Sequence, residues 1–340
     1  MRMSRRRTAA ALALAVAFPL LAACGGSDAE SKPSLVVYNA QHEELIDVVA
    51  KAFTKKTGIE VQLRNGSDLE LGNQLATEGD ASPADVFLTE NSPAMTLVDS
   101  KNLFAKLDQS TLDQIPAKYR PDDGQWTGFA ARSTVLVYNT DQISKGQLPV
   151  SIMDLAKPAW KDRISFSPTG ADFQAIVSAV LATQGEQATK DWLAGLKTNG
   201  TVYDGNNVVL ESVNSGKKPA GVIYHYYWYR DQEESGDNSD ASRLHFFGRK
   251  DPGAFISVSG AGVLKSSDDA EDAQTFVDYL VSKEGQEVIA KSYALEYPLN
   301  PEVDLARDVK PLSELDPPAV DVSDLNGPKV VDMMQEAGFL

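Results

Sequence analysis

One cysteine, three histidines and four tryptophans are all that 340 residues contain of these types. A lone thiol excludes an internal disulfide, a thiolate zinc cluster and a paired-thiol redox motif. Cations are short as well: 32 lysines and arginines stand against 48 aspartates and glutamates, a net charge of −16. That balance disfavours nucleic acid and anionic membrane surfaces as partners. There is no internal repeat and no long low-complexity segment. The nucleophile elbow Gly-x-Ser-x-Gly is missing, and His42-Glu43-Glu44 places Ile46 where a zinc protease carries its second histidine. Gly260-Ala261-Gly262 is a fragment of a nucleotide fingerprint in the wrong half of the chain and reads as a closely packed strand. Together these absences argue against an enzyme.

The one long apolar run spans residues 9–21, preceded by Arg2, Arg5, Arg6 and Arg7. A basic stretch, a short apolar run and then small residues make a secretory signal, and the run is too short for a permanent membrane span. Its end, Leu21-Ala22-Ala23-Cys24-Gly25, resembles the lipobox of bacterial lipoproteins, which implies cleavage after residue 23 and lipidation of Cys24. Ser4-Arg5-Arg6 leaves both the general and the twin-arginine export routes open. Loss of residues 1–23 removes four arginines and no acid, which takes the net charge from −16 to −20. Residues 24–33 read as a lipidated flexible tether. The remaining chain, about 310 residues, exceeds what one core usually holds, so two lobes are expected.

Strand and helix patterns alternate through the first hundred residues. Leu35-Val36-Val37-Tyr38 is strand-like; residues 42–57 place Leu45, Ile46, Val49, Ala52 and Phe53 at helical spacing; Gly58 stops the helix; Ile59 to Leu63 alternates again. A helix over 69–79, a strand at 84–88 and a helix over 92–101 continue the series. Such alternation predicts an α/β fold of mixed, mainly parallel sheets flanked by helices, in which ligands bind beyond the carboxyl ends of strands. Residues 129–138 read as a strand crossing to a second lobe and 255–264 as the strand returning. The predicted division is 34–131 plus 256–300 for one lobe and 132–255 plus 301–340 for the other.

Strand ends carry the chemistry. His42 follows the first strand, Glu90 follows the strand ending at Leu88, and the run Ile223-Tyr224-His225-Tyr226-Tyr227-Trp228-Tyr229 holds four of eleven tyrosines. Phenolate and carboxylate oxygens completed by an imidazole suit a hard trivalent cation such as Fe(III). Adjacent tyrosines diverge on a strand but can both reach one ion at a helix start, so Tyr226 and Tyr227 are expected at a strand-to-helix junction. Trp228 reads as packing behind them, and His225 and His245 as packing or surface residues. The loop Pro168-Thr169-Gly170-Ala171 opens a helix and offers backbone N–H groups to an anion.

Val37-Tyr38-Asn39-Ala40-Gln41-His42, Ser82 to Phe87 with Glu90, Tyr226-Tyr227-Trp228, Arg249 to Ala254, and Glu296-Tyr297-Pro298-Leu299-Asn300-Pro301 together resemble the periplasmic ferric-ion-binding proteins of bacterial ABC transporters. The resemblance runs from about residue 35 to the C-terminus. It implies a two-lobed, type II periplasmic-binding-protein fold with crossover hinge strands and a transferrin-like iron site. On this chain its metal ligands fall on His42, Glu90, Tyr226 and Tyr227, joined by an exogenous anion, phosphate or carbonate. The anion and supporting positions are Asn91, Arg132, Thr169, Gly170, Ala171, Asn206 and Tyr224. The family's glutamine is here the shorter Asn91, its serine in the small loop is replaced or shifted, and Tyr224 stands for an asparagine. Carbonate near Arg132 thus competes with phosphate, and Tyr224 is either a further oxygen ligand or a supporting phenol. The implied role is an extracytoplasmic, lipid-anchored, monomeric binding protein that passes ferric ion, free or chelated, to an ABC permease. A protein of the same fold that boxes an organic cation such as a polyamine or thiamine is the alternative. A hydrolase using His42 and Glu90 lacks an identifiable nucleophile.

Overall fold

A strand with four of its six residues buried and a helix that buries one stripe make the first unit. β1 (Ser34–Asn39) hides Leu35, Val37 and Tyr38, and α1 (Glu43–Thr57) hides Leu45, Ile46, Val49 and Phe53. Each of those side chains contributes about 1.5–3 kcal/mol by leaving water. Glu43 and Glu44 in its first turn and Lys55 and Lys56 in its last complement the helix dipole. Gly58 ends the helix at φ +82°, a left-handed conformation open to glycine, with its N–H on the Thr54 carbonyl.

The computed structural model describes residues 34–235, 239–305, 308–322 and 325–340. The expected signal segment, Cys24 and the tether lie outside the described residues. The chain continues through β2 (Glu60–Asn65), α2 (Asp68–Glu78), β3 (Val86–Leu88), α3 (Ser92–Ser100), the single turn α4 (Gln109–Leu112) and the long β4 (Thr127–Asn139). Then follow β5 (Ile164–Phe166), α5 (Ala171–Gln184), α6 (Glu186–Asn199), β6 (Gly200–Val202), α7 (Asn206–Asn214), β7 (Ala220–Tyr224) and α8 (His225–Ser235). β8 (Ser242–His245), β9 (Ile256–Val263), α9 (Ala270–Val281), α10 (Lys283–Lys291), β10 (Tyr297–Pro298) and α11 (Gly327–Glu336) complete it.

The strand order is β2-β1-β3-β9-β4-β7-β5-β6, with β8 and β10 also paired to β4. Parallel pairs lie in the two wings, β2-β1-β3 and β7-β5-β6, whereas every antiparallel pair involves β4 or β9. β4 joins the wings: Thr127 to Ser133 pair with β9, and Thr134 to Tyr138 pair with β7. Gly260 is needed for that packing, because a Cβ there would stand 2.3 Å from Met95 Cγ. The fragment Gly260-Ala261-Gly262 is thus a closely packed strand.

Two large hydrophobic clusters flank the junction. One gathers β1, β3, β9, α1, α9 and the first half of β4; the other gathers β5, β7, α5, α6 and α11. The tail feeds both: Val309 and Val322 join the first, Val330, Met333 and Phe339 the second. Among the described residues no helix is long and apolar enough to cross a membrane.

Candidate metal centre

Residues just past the ends of β1, β3, β5 and β7 meet one another, and each of these strands is followed by a helix. His42 is the residue before α1, Asn91 the residue before α3, Asp172 lies in the first turn of α5, and Tyr226 and Tyr227 lie in the first turn of α8. Helix N-termini carry partial positive charge and favour anionic donors beside them. The tyrosines therefore stand at the strand-to-helix junction expected for a pair that shares one ion.

The expected donors come together. Tyr226 Oη is 3.4 Å from His42 Nε2 and 3.4 Å from Glu90 Oε1, and those two atoms are 4.0 Å apart. The Tyr226 and Tyr227 rings stack with centroids 4.2 Å apart. Tyr226 is fully buried, while the His42 and Glu90 side chains keep about a fifth of their surface in solvent. Among the described residues no three His, Cys, Asp or Glu side chains form a metal cluster on their own.

Asp172, which the sequence reading did not single out, lies against the tyrosine pair. Tyr227 Oη donates to Asp172 Oδ2 over 3.1 Å, Asn206 Nδ2 donates to the same oxygen over 2.9 Å, and Asn91 Nδ2 approaches Oδ1 at 3.4 Å. Tyr224 Oη donates to the Asp172 carbonyl over 3.3 Å from full burial. Three positions expected around an exogenous anion, Asn91, Asn206 and Tyr224, thus surround a carboxylate of the chain itself. Thr169, Gly170 and Ala171 line an adjoining cavity of about 420 Å³ with Asn91.

Arg132 is fully buried. It pairs with the buried Glu296 at 2.8 Å, donates to Ser259 Oγ over 2.8 Å, and holds the Glu90 carbonyl oxygen. Its Nε, also buried, has no partner among the described residues. The remaining residues behave as supports. Trp228 donates to Ser242 Oγ and packs beside Val135, Val137 and Ile223, His245 meets the Pro149 carbonyl, and His225 stacks on Tyr297 at 4.3 Å. Burial pulls the His225 pKa down to about 3.

The family model of bacterial extracellular solute-binding proteins matches residues 81–317. The chain belongs to that family. Among similar proteins, the Fe(3+)-binding periplasmic protein of Serratia marcescens is 52% identical over 325 residues, 96% of each chain. The major ferric iron-binding protein of Neisseria meningitidis is 38% identical, over 95% of this chain and 98% of its own. Iron-bound HitA from Pseudomonas aeruginosa superposes with a TM-score of 0.85 at 40% identity, over 90% of this chain and 99% of that one. The fold is the two-lobed type II fold of periplasmic binding proteins.

The site of this solute-binding protein is charged in a particular way. Burial first, and then the Asp172 charge, push both Tyr226 and Tyr227 well above the usual phenol range. Burial, followed by the Glu90 charge, pushes the Asp172 carboxyl well above its ordinary value. Burial works against the Glu296 charge, but Arg132 and His42 outweigh it and hold that carboxyl down at about 2. Burial would likewise lower His42; the Glu296 hydrogen bond and the Glu90 charge outweigh it, so the imidazole is raised.

The Arg132–Glu296 pair makes a stability prediction. Arg132→Met takes the guanidinium from Glu296 and leaves that buried carboxylate only His42 and Gln41 as partners, and breaking a buried pair in this way costs about 3–5 kcal/mol. Urea unfolding of the empty protein should show that loss; a change below about 1 kcal/mol would mean that water reaches Glu296 and the pair is not sealed.

Proposed function

We propose that the chain is an extracytoplasmic binding protein that captures Fe(III) between its lobes and delivers it to an ABC-type permease. The observation that carries this reading is the set of hard donors gathered from four strand ends: His42 Nε2, Glu90, Tyr226, Tyr227 and Asp172. Soft cations would seek thiolate, which the centre lacks, whereas phenolate and carboxylate oxygens match a small trivalent ion. Relatives with closely similar sequence along nearly their whole length are named for ferric iron.

In this reading Asp172 takes the place of an exogenous anion. It is anionic once deprotonated, it is held by the amides that would otherwise hold phosphate, and Tyr227 already touches it. The lobes divide at 131/132 and 255/256, so β4 and the start of β9 are the hinge, and His42 and Glu90 close on the tyrosines and Asp172 by bending there. Residues 1–23 are removed on export, Cys24 carries the lipid, and residues 25–33 tether the domain. An organic cation fits poorly, because the Tyr226 and Tyr227 rings stack on each other at 4.2 Å and leave no slot between them. No step of this role calls for catalysis.

Ferric citrate added to the purified empty protein should give the red colour of phenolate-to-iron charge transfer. Tyr226→Phe and Tyr227→Phe should each remove most of it. Colourless wild-type protein with an unchanged melting temperature would refute the iron reading; colour that survives both substitutions would refute the site.

A further inference from the structure

His42 is held from behind. Its Nδ1 lies 2.6 Å from Gln41 Oε1 and 3.1 Å from Glu296 Oε1. The Gln41 amide has one workable orientation. Its oxygen accepts the His42 backbone N–H over 2.7 Å, while its nitrogen donates to Ser259 Oγ over 2.7 Å and faces Glu296 Oε2 at 3.2 Å. Flipping it would set NH₂ against an N–H and a carbonyl oxygen against a carboxylate. Nδ1 therefore meets two acceptors, and a lone pair there would face oxygen lone pairs. A neutral imidazole has one proton, and these contacts put it on Nδ1. The lone pair is left on Nε2, the nitrogen that faces Tyr226 and Glu90.

We propose that Glu296, with Gln41, locks His42 in the Nδ1–H tautomer and so presents the Nε2 lone pair to the metal before it arrives, which makes Glu296 a positioning residue of the centre. The proposal rests on the iron reading above for its consequence, though not for its geometry. A carboxylate behind a ligating imidazole fixes the ring and makes it a better donor. Glu296 is itself held by Arg132, which also grips the Glu90 carbonyl oxygen and Ser259 Oγ. One buried ion pair thus braces the two ligands of the first lobe, His42 through its ring and Glu90 through its backbone.

Long-range proton–nitrogen NMR of ¹⁵N-histidine protein, without metal at mildly alkaline pH, reads the tautomer directly, with His42→Ala assigning the signal. The expected pattern has Nδ1 protonated and Nε2 bare; a protonated Nε2 overturns the proposal. This readout is the same whether or not the protein binds iron, so wild-type protein that fails to bind iron would refute the iron reading alone. In the binding arm, Glu296→Gln should weaken ferric affinity by about 10–100-fold while the charge-transfer colour persists. In a His42→Ala background the same change should cost clearly less, the remainder being the Glu90 brace; an equal loss in both backgrounds would mark a structural role and overturn the proposal. Glu296→Gln strands Arg132, so Gln41→Met and the pair Arg132→Met with Glu296→Gln serve as folding-safe companions. Gln41→Met leaves Glu296 on Nδ1 and should keep the Nδ1–H tautomer, whereas the double variant, without the carboxylate, should mix the tautomers; an unchanged Nδ1–H signal in the double variant would overturn the lock.

Discussion

Acidification from about pH 7.5 to about pH 5.5 should weaken ferric binding by at least about four powers of ten. The donors must lose protons to bind, and each proton released costs about tenfold in affinity per pH unit while the pH lies below that group's pKa. Tyr226 and Tyr227 are raised above the ordinary phenol value by burial and then by Asp172, so both remain protonated in the empty site across that range. Two protons give about a hundredfold per unit. Asp172 adds to the slope in the same sense. Its pKa is raised by burial and by Glu90, so its proton favours the empty site at low pH and must leave before metal arrives. As the pH climbs through that raised value the empty centre accumulates negative charge, which a trivalent ion relieves. Competition against a chelator of known proton stoichiometry, repeated across the range, gives the slope. A slope below one proton would show that the phenols do not ionise on binding, and the proposed centre would fail.

Much of this centre was legible before any coordinates, for one geometrical reason. A β-α-β pattern announces parallel strands, parallel strands put their carboxyl ends on one edge, and His42, Glu90 and the Tyr226-Tyr227 pair each follow such an end. Asp172 obeys the same rule after β5. It is not distinctive in the sequence, because Gly-Ala-Asp at a helix start is ordinary helix-opening chemistry and only the backbone of the loop before it suggests an anion site. The Arg132–Glu296 pair was illegible for a different reason. Its partners are 164 residues apart, on β4 and beside the two-residue β10, and neither periodicity nor local spacing links them. With that pair in view, the guanidinium is buried against a carboxylate as well as placed beside the cleft. The lesson is physical: local patterns reveal which strand ends meet, while charge compensation in a core depends on distant contacts.

Asp172→Ala should convert the protein from one that needs no added anion to one that requires it. In buffer free of phosphate and carbonate, ferric affinity should fall by about a thousandfold, the order expected when one charged ligand of a trivalent ion is removed and its deprotonated form had supplied roughly 4 kcal/mol. The hole left behind is still built for an anion. Asn206 Nδ2 and Asn91 Nδ2 lose the carboxylate oxygens they now approach at 2.9 and 3.4 Å, Tyr227 Oη loses its acceptor at 3.1 Å, and the first turn of α5 keeps its unpaired N–H groups. Millimolar phosphate or bicarbonate should therefore restore much of the binding to the variant and change little in the wild type. Two further consequences separate this from general damage. The tyrosine colour should persist in the rescued variant, because Tyr226 and Tyr227 remain, and the pH slope should drop because one titrating carboxyl has gone. Wild-type binding that collapses when anions are stripped away, or a variant that neither loses affinity nor responds to phosphate, would show that Asp172 is not the anion of this centre.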